Sequence, residues 1–403
     1  MQRVAITGLG IISCIGNDLD SVTAALRDGA SGVRFVEEYR ALGLNSQVAG
    51  IPDISREAKI DRKLRRFMGD AAIYAYHAMR HAIDDAGITQ TDIQDARTGL
   101  IIGSGVGSPF SHYQAMQTLR TRGLDKVLPY TVPQVMGSTC SANLAMAFQV
   151  GGPSYSLSAA CATSAHCIGN AWELIRHGVI DRAFVGGSEE IQWTIAAPFD
   201  AMGALSTAWN DRPQQASRPF DTGRDGFVIA GGAGVLLLES ETAARRRGAR
   251  IHAYLSGYGA STGGSDMVLP DVPGCVRAMQ LALAEAANPT VDYINPHATS
   301  TQLGDTAELD AIRSVFGRTV PAISATKGLT GHAIGAISAQ EAILCVLMMK
   351  HGFIPKSANL DRLEATCQDV NIVRKTLHRS VDVALSNSIG FGGTNASLVI
   401  SRE

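Results

Sequence analysis

The 403-residue chain has few charged residues and none of the cysteine spacings that mark a metal site or a disulfide scaffold. Its seven cysteines are odd in number and no two are separated by only two residues, so neither a disulfide framework nor a structural zinc site is expected. Charged residues make up 18% of the chain and the formal net charge is −2, which predicts no nucleic-acid or membrane partner. Reduced thiols of this kind are typical of a cytoplasmic protein.

Long apolar runs are also missing. No stretch of about 20 uninterrupted apolar residues occurs, so no transmembrane helix is expected. The apolar N-terminus is short and broken by glycine, and it lacks a small-residue cleavage site, so we interpret it as a strand and not as a signal peptide. No linker rich in proline or serine divides the chain, which favours one tight body.

Hydrophobic residues, by contrast, make up 45% of the chain, which indicates a large buried core. Short β-branched runs alternate with amphipathic helical segments, and this alternation predicts an α/β fold with a largely buried mixed sheet. The predicted strands are Val4–Thr7, Thr98–Gly103, Ala183–Gly187, Gly232–Glu239, Ala253–Gly259, Tyr293–Pro296, Ala322–Ala325, Val383–Ser386 and Ala396–Ser401. The predicted helices include Phe67–Ala86, Ser164–Arg176, Cys275–Ala286, Asp305–Val315 and Ile334–Lys350.

The two halves of the chain, 1–245 and 246–403, are similar in organisation. Each opens with a strand that we expect to end in a glycine turn, at Ile6–Gly10 and at Ser256–Gly259. Each then shows helix, strand, helix and a final pair of strands, Ala183–Glu190 with Val228–Glu239 and Val383–Ser388 with Ala396–Ser401. This order suggests a duplicated five-layer αβαβα arrangement, although the identity between the halves is too weak to prove a repeat.

The segment Ser158–Ser164 holds Cys161 between small residues that leave room for a substrate. It follows a short apolar run and precedes a segment with apolar residues at helical spacing, which places Cys161 at or near a helix N-terminus. The positive end of a helix favours thiolate over thiol, so a nucleophilic cysteine is one interpretation. The alternative is a small buried core cysteine, which is the commoner role of a free cysteine.

Polar residues follow the predicted strand at Tyr293, in the segment Asn295–Thr301. Side chains at the carboxyl end of a buried strand tend to lie at the rim of a site. His297 can exchange a proton near neutral pH, and Thr299 and Thr301 can bind a polar arm of a ligand. A structural turn stabilised by the side chains is the alternative.

The segment Ser324–Ala336 carries Lys327 and His332, five residues apart on a loop before a long apolar helix. Both side chains can face one cavity from such a loop. A Walker A phosphate loop is a rival interpretation, but the Gly-Lys-Ser/Thr order is absent. Glu341 lies inside the apolar helix, and a carboxylate there needs a partner such as a buried lysine.

A glycine-rich loop, Gly390–Asn395, lies between the last two predicted strands. Because glycines leave the backbone N–H groups uncovered, such a loop can serve as an oxyanion hole. Taken alone, a glycine-rich hairpin turn explains it as well.

The order of these features, Cys161, then His297, Lys327 and His332, then the glycine-rich loop, closely resembles that of the β-ketoacyl-[acyl-carrier-protein] synthases. The resemblance covers nearly the whole chain, from VAITGLGIIS at the N-terminus, through the segments Phe199–Ser206 and Arg224–Gly232, to GFGGTN. The stretches CATSAHCIGNA and DAMGALS look most like the type I bacterial members. The resemblance implies a thiolase-like duplicated αβαβα fold with mixed sheets, and the decarboxylative condensation of an acyl chain with a malonyl group.

The family's roles pass to the matching positions of this chain. Cys161 matches the acylated nucleophile, and His297 and His332 match the pair that assists decarboxylation of the malonyl group. Lys327 matches the lysine that organises this network, with Glu341 as its helper. The remaining roles are an oxyanion hole from the N–H groups of Cys161 and Phe391, phosphopantetheine contacts at Thr299 and Thr301, and a substrate pocket that includes Val106, Phe199, Ile389 and Phe391.

The resemblance also implies partners. The chain needs no cofactor of its own, because phosphopantetheine arrives on the acyl carrier protein, and a homodimer is expected, with a heterodimer as the alternative. The family binds its acidic carrier at positions that match Arg62, Lys63 and Arg66, with Arg122 and Lys126 assisting. A solvated helix face is the ordinary explanation for such a run of charge.

The chain departs from the family pattern at several positions, among them Ile389 in place of phenylalanine and Ala298 in place of glycine. These positions bear on the shape of the acyl pocket, so a ketosynthase of a specialised polyene or polyketide pathway stays open. A non-catalytic partner subunit that only sets chain length would lack the nucleophile, which Cys161 argues against. A degradative thiolase would need a second cysteine in the glycine-rich loop, and Ser386–Asn395 has none.

Overall fold

The computed structural model describes residues 1–402, and residue 403 of the predicted C-terminal half lies outside the described residues. The strands are β1 Val4–Ile12, β2 Val33–Phe35, β3 Val48–Gly50, β4 Thr98–Gly103, β5 Ser154–Tyr155, β6 Arg182–Glu189, β7 Gly232–Ser240, β8 Ala253–Thr262, β9 Tyr293–Asn295, β10 Ala322–Ile323, β11 Phe353–Ile354, β12 Leu377–His378, β13 Val383–Gly390 and β14 Thr394–Ser401.

The helices include all five that the sequence predicts. They are α1 Leu19–Asp28, α2 Glu37–Ala41, α3 Arg62–Arg65, α4 Asp70–Ala86, α5 Gln90–Ile93, α6 Pro109–Arg122, α7 Thr131–Val135, α8 Thr139–Phe148, α9 Thr163–Arg176, α10 Trp193–Ala201, α11 Glu241–Arg246, α12 Val272–Glu285, α13 Gln302–Phe316, α14 Lys327–Thr330 and α15 Ile337–His351. Short 3₁₀ turns occur at Leu124–Lys126, Pro213–Gln215, Ile334–Ala336, Ala365–Cys367 and Phe391–Gly393.

Ten strands form one mixed sheet in the order β10-β9-β13-β14-β8-β1-β7-β6-β4-β5. From either edge, the first three strands are parallel and the next two pairings are antiparallel. The two five-strand sets meet only at β1 and β8, where Val4–Ile6 pair with Ala253–Leu255. The duplicated order of elements is therefore present in the hydrogen bonding. The predicted division between residues 245 and 246 falls inside α11 and stays a prediction.

The helices form layers around the two strand sets. On one side α4 packs on β1 and β7, and on the other side α12 packs on β8 and β14. Between them, α9 and α15 contact each other and touch strands of both sets. The arrangement is the five-layer αβαβα fold that was predicted. Its middle layer is buried throughout, since every residue of α15 from Ile337 to Met349 is buried, Glu341 among them.

The sequence predicted strands ending in glycine turns at Ile6–Gly10 and Ser256–Gly259, and that prediction is wrong. β1 and β8 run straight through these glycines. A Cβ added at Gly10 would lie 1.8 Å from the carbonyl oxygen of Ala78 in α4, and one at Gly259 would lie 2.1 Å from that of Ala278 in α12. The glycines therefore let each helix approach its strand closely, at matching places in the two halves. The predicted strand Val228–Glu239 also begins too early, because β7 starts at Gly232 and residues 228–231 precede it.

One helical segment among the described residues, Ile334–His351, has the length and hydropathy of a membrane span. It is 89% buried inside the protein. Its apolar character thus reflects its place between the two strand sets.

The glycine contact can be tested by Gly10→Ala. The added methyl group would overlap the backbone of α4, so we expect a loss of about 2–3 kcal/mol in the free energy of unfolding, measured by urea titration. Gly137→Ala is the matched control, because a Cβ there meets nothing within 4 Å and its φ is not positive. The control should change stability by less than about 0.5 kcal/mol. Equal stability of the two variants would contradict the proposed close approach.

Candidate active site

A cavity of about 500 Å³ brings together residues that lie far apart in the sequence. It is lined among others by Cys161, Phe199, His297, His332, Ile389 and Phe391. The nucleophile candidate comes from the first half of the chain and the two histidines from the second. The sequence predicted all six as site residues, and the fold places them around this one cavity.

Cys161 lies directly before Ala162, the N-cap residue that precedes α9. The residue before it, Ala160, has a φ of 48°, a left-handed conformation that is unfavourable for a residue with a Cβ. This turn directs the Cys161 side chain into the cavity, where Sγ lies 3.0 Å from Nε2 of His332. The hydroxyl of Ser338 donates to the carbonyl oxygen of Cys161 at 3.2 Å and fixes the turn from the start of α15.

The predicted thiolate at Cys161 is wrong for the free protein. Burial raises the pKa of the Cys161 thiol to about 12, and this effect exceeds the opposing influence of Lys327 and of two backbone N–H groups. Those N–H groups belong to Phe391 and to Cys161 itself. The loss of water around the sulfur is therefore the largest influence on the thiol.

His297 and His332 face each other edge to face, with ring centroids 5.1 Å apart. Burial, and then the positive charge of Lys327, hold the pKa of both imidazoles well below the ordinary value. Phe227 packs against His332 with ring centroids 5.5 Å apart and shields it from water. Both rings are therefore neutral at physiological pH.

Lys327 and Glu341 form a buried ion pair beside the histidines. Nζ lies 2.7 and 2.8 Å from the two carboxylate oxygens, and both side chains are at most 1% exposed. Thr326 donates a further hydrogen bond to Glu341 at 2.9 Å. The partner predicted for Glu341 from its place in an apolar helix is confirmed as Lys327.

Glu308 is a site residue that the sequence analysis missed. It lines the cavity, and its carboxylate accepts hydrogen bonds from the backbone N–H groups of His297 and Ala298, each at 2.8 Å. Burial raises the pKa of this carboxyl to about 7. A signal was present, because Glu308 shares one face of the predicted helix with Leu309 and Ile312, just as Glu341 lies on an apolar face.

The other predicted residues divide into those at the cavity and those away from it. Thr299 and Thr301 line the cavity with their hydroxyls 3.2 Å apart, and the Phe199 ring lies 6.3 Å from the Phe391 ring. Val106 does not line this cavity, and its side chain is 46% exposed. A glycine turn after β4 carries it outward, which sequence position alone does not reveal.

The predicted docking residues are all exposed at the surface, namely Arg62, Lys63, Arg66, Arg122 and Lys126. The guanidinium of Arg66 packs over the rings of Phe67 and Tyr130, at 4.7 and 4.8 Å from their centroids. The α3 segment is thereby joined to the stretch that follows Lys126.

Comparison with known proteins agrees with this arrangement. The N-terminal domain of β-ketoacyl synthase matches residues 1–244, and its C-terminal domain matches residues 252–361. The chain belongs to the β-ketoacyl synthase family. It is 50% identical to 3-oxoacyl-[acyl-carrier-protein] synthase 1 of Escherichia coli K12 over 404 aligned residues, which cover 100% of this chain and 99% of that protein.

Solved structures give the same result for the fold. A β-ketoacyl synthase from Burkholderia phymatum superposes with a TM-score of 0.94 at 35% identity, covering 100% of both chains. A ketosynthase solved in complex with a type II polyketide acyl-carrier protein superposes with a TM-score of 0.90 at 28% identity and covers 100% of both chains. The predicted family, its thiolase-like fold and its class, an acyltransferase with ketosynthase activity, are confirmed. Enzymes of this family act on substrates bound to acyl carrier protein.

The ion pair can be tested by Glu341→Gln. This change leaves the Lys327 ammonium buried without a counter-charge, so we expect the free energy of unfolding to fall by about 3–5 kcal/mol in urea titrations. The double variant Lys327→Met/Glu341→Leu removes both charges and keeps similar volume, so it should recover most of that loss. If the double variant were destabilised by as much as Glu341→Gln or more, the two charges would not act as a pair.

Proposed function

We propose that this chain condenses an acyl group, held as a thioester on Cys161, with malonyl-acyl-carrier-protein to give 3-oxoacyl-acyl-carrier-protein in fatty-acid elongation. The observation that carries the proposal is the contact of 3.0 Å between Sγ of Cys161 and Nε2 of His332, with the N–H groups of Phe391 and Cys161 acting on the same sulfur. A nucleophile, a base and two oxyanion donors thus meet in one buried cavity.

The first step transfers the acyl group. Because the pKa of Cys161 is high, the thiol is protonated at rest, and Nε2 of His332 accepts its proton as Sγ attacks the acyl thioester. The N–H groups of Phe391 and Cys161 stabilise the tetrahedral oxyanion. The carbon–sulfur bond to phosphopantetheine then breaks, and that thiol leaves with a proton.

The second step joins two carbon chains. Between the two steps the proton of the neutral His332 ring moves from Nδ1 to Nε2 by exchange with solvent. Loss of carbon dioxide from the malonyl group then leaves an enolate, and the neutral imidazoles of His297 and His332 donate hydrogen bonds to its oxygen. Its carbon then attacks the acyl carbonyl on Cys161, the carbon–sulfur bond breaks, and one proton taken up from solvent returns the sulfur to the thiol. Neutral histidines suit this role because their protons stay available as donors while the charge develops on the substrate.

Lys327 and Glu308 support these steps without exchanging protons with the substrate. Burial keeps the two imidazoles neutral, the fixed charge of Lys327 adds to this effect, and Glu341 keeps that charge in place. Glu308 holds the backbone that carries His297. Thr299 and Thr301 bind the phosphopantetheine arm, while Phe199, Ile389 and Phe391 contact the acyl group.

The partners follow from surfaces outside the cavity. The basic residues Arg62, Lys63, Arg66, Arg122 and Lys126 bind the acidic carrier. An exposed apolar surface, formed by Val106, Met116, Leu119, Leu128 and Met146, lies on and beside helices α6 to α8, and α8 packs on the edge strand β5. Such a surface next to an open sheet edge suits a homodimer. Val106 would then contribute to the substrate pocket from the dimer interface. The enzyme functions in the cytoplasm.

Cys161→Ala tests the nucleophile. We expect no acyl adduct on intact protein after incubation with acyl carrier protein, and condensation reduced to background, because the sulfur that forms the thioester is gone. Cys167→Ala is the matched control, since Cys167 is buried one turn along α9 and does not line the cavity. Normal condensation by Cys161→Ala would refute the mechanism.

The length and unsaturation of the products of the unmodified enzyme distinguish fatty-acid elongation from a polyene or polyketide pathway.

Lys63→Glu tests the docking surface. Reversing one exposed charge should weaken binding of the carrier by about two- to fivefold at low ionic strength, as measured by fluorescence anisotropy, and the difference should shrink in high salt. Lys375→Glu makes the same charge change at an exposed position of the C-terminal half and should leave the affinity unaltered. The same loss in both variants would show only a general effect of net charge.

A further inference from the structure

Cys161, His297 and His332 are also a set of soft metal ligands. All three are buried, and their donor atoms lie within 4.8 Å of one another. A tetrahedral zinc ion bound by one thiolate and two imidazoles holds its donors about 3.3–3.6 Å apart. The contact of 3.0 Å between Sγ and Nε2 of His332 lies close to that spacing, and the His297 donor lies within 4.8 Å of both, so a zinc site needs the His297 ring to move toward the other two ligands.

We propose that this set binds a thiophilic divalent cation, Zn²⁺, which blocks the nucleophile and reversibly inhibits the enzyme. On binding, the Cys161 thiol releases its proton to solvent, one zinc–sulfur and two zinc–nitrogen bonds form, and no group is oxidised or reduced. The fourth position faces the cavity and takes water. Zinc binding itself is independent of the proposed function, whereas the inhibition depends on it.

The surrounding charges permit a cation here. Lys327 is already bound to both oxygens of Glu341, so zinc does not face an unpaired ammonium group. The Glu308 carboxyl lines the same cavity and carries partial negative charge near neutral pH, because burial raises its pKa to about 7. Neutral imidazoles offer free lone pairs, as zinc requires.

The hydrogen bonds that the ligands make to neighbouring groups determine the expected affinity for zinc. Nδ1 of His297 and Nδ1 of His332 are buried, and neither has a hydrogen-bond partner among the described residues. Zinc sites normally hold the second nitrogen of each histidine, and loss of such a partner costs about 10- to 100-fold in affinity. The site therefore suits an inhibitor that a chelator removes, and not a permanently bound metal.

A second pair of histidines must be separated from this set in any experiment. His77 and His81 lie one turn apart on α4, and Nε2 of His81 lies 3.1 Å from a carboxylate oxygen of Glu57. His81 is more exposed than Cys161 or either site histidine, and the group contains no sulfur. A metal bound there would not form a metal–sulfur bond.

Cobalt(II) reports the sulfur ligand directly, since a thiolate–cobalt bond gives a charge-transfer absorption band. We expect this band, and one equivalent of Zn²⁺ that displaces it, in the unmodified enzyme. Cys161→Ser should abolish the band. Each of the single variants Cys161→Ser and His297→Gln should lower the zinc affinity by more than about 100-fold, measured in competition with a chelating dye, because loss of a ligand exceeds loss of an outer contact. Protein alkylated at Cys161 should behave like Cys161→Ser, which controls for misfolding of the variants.

His81→Asn is the matched control and should keep both the band and the zinc affinity. Absence of the band in the unmodified enzyme, or zinc affinity that is unchanged in Cys161→Ser and lost in His81→Asn, would overturn the proposal. The two proposals fail separately. Metal-free enzyme that condenses normally while no band forms refutes the zinc site alone, and a band in a protein without condensing activity refutes the proposed function alone.

Discussion

The ion pair between Lys327 and Glu341 is the interaction on which the rest of the site depends. Moving two charges out of water costs several kcal/mol for each ion, and only close pairing with further hydrogen bonds offsets that cost. Here two short contacts join the charges and Thr326 completes the coordination of the carboxylate. Because Glu341 lies on a helix that is buried along nearly its whole length, the pair can occur only where the loop carrying Lys327 passes that helix. This fixes the position of the loop that continues to His332.

Burial then determines the protonation states. Around Cys161, His297 and His332 the lack of water favours neutral forms, and the Lys327 charge favours neutral imidazoles further. The site at rest therefore contains a thiol and two neutral rings, with one charge that is already compensated. Negative charge appears only when substrate arrives, first on the tetrahedral intermediate and then on the enolate. Donors fixed in a dry cavity stabilise such charge more strongly than they would in water.

The sequence was a good guide to the fold and to the residues that meet at the candidate site, and a poor guide to the surroundings of those residues. Helical spacing and β-branched runs located the main elements, because both depend on neighbouring residues. The glycines of β1 were misinterpreted as a turn, since the reason for Gly10 is the backbone of α4 almost 70 residues later. The Cys161 thiolate was expected from the nearby helix start, whereas the degree of burial depends on residues more than 100 positions away. Glu308 was missed although it lies on an apolar helix face, because its closest partners are backbone N–H groups and not a charged side chain.

The duplicated fold explains why both sets of reacting groups meet. Helix α9 follows β5 and precedes β6 in the first half, and α15 takes the equivalent place in the second half. Both helices lie in the middle layer, and both begin at the cavity, α9 next to Cys161 and α15 shortly after His332. Ser338 donates to the carbonyl of Cys161, and the N–H group of Ala339 donates to Ser164, so the two helix starts are held together by hydrogen bonds. The positive ends of two helices therefore point toward the place where the reaction develops negative charge. In the proposed reaction this field would act on the oxyanion and on the enolate, so it would stabilise the transition states and not the uncharged thiol of the free enzyme.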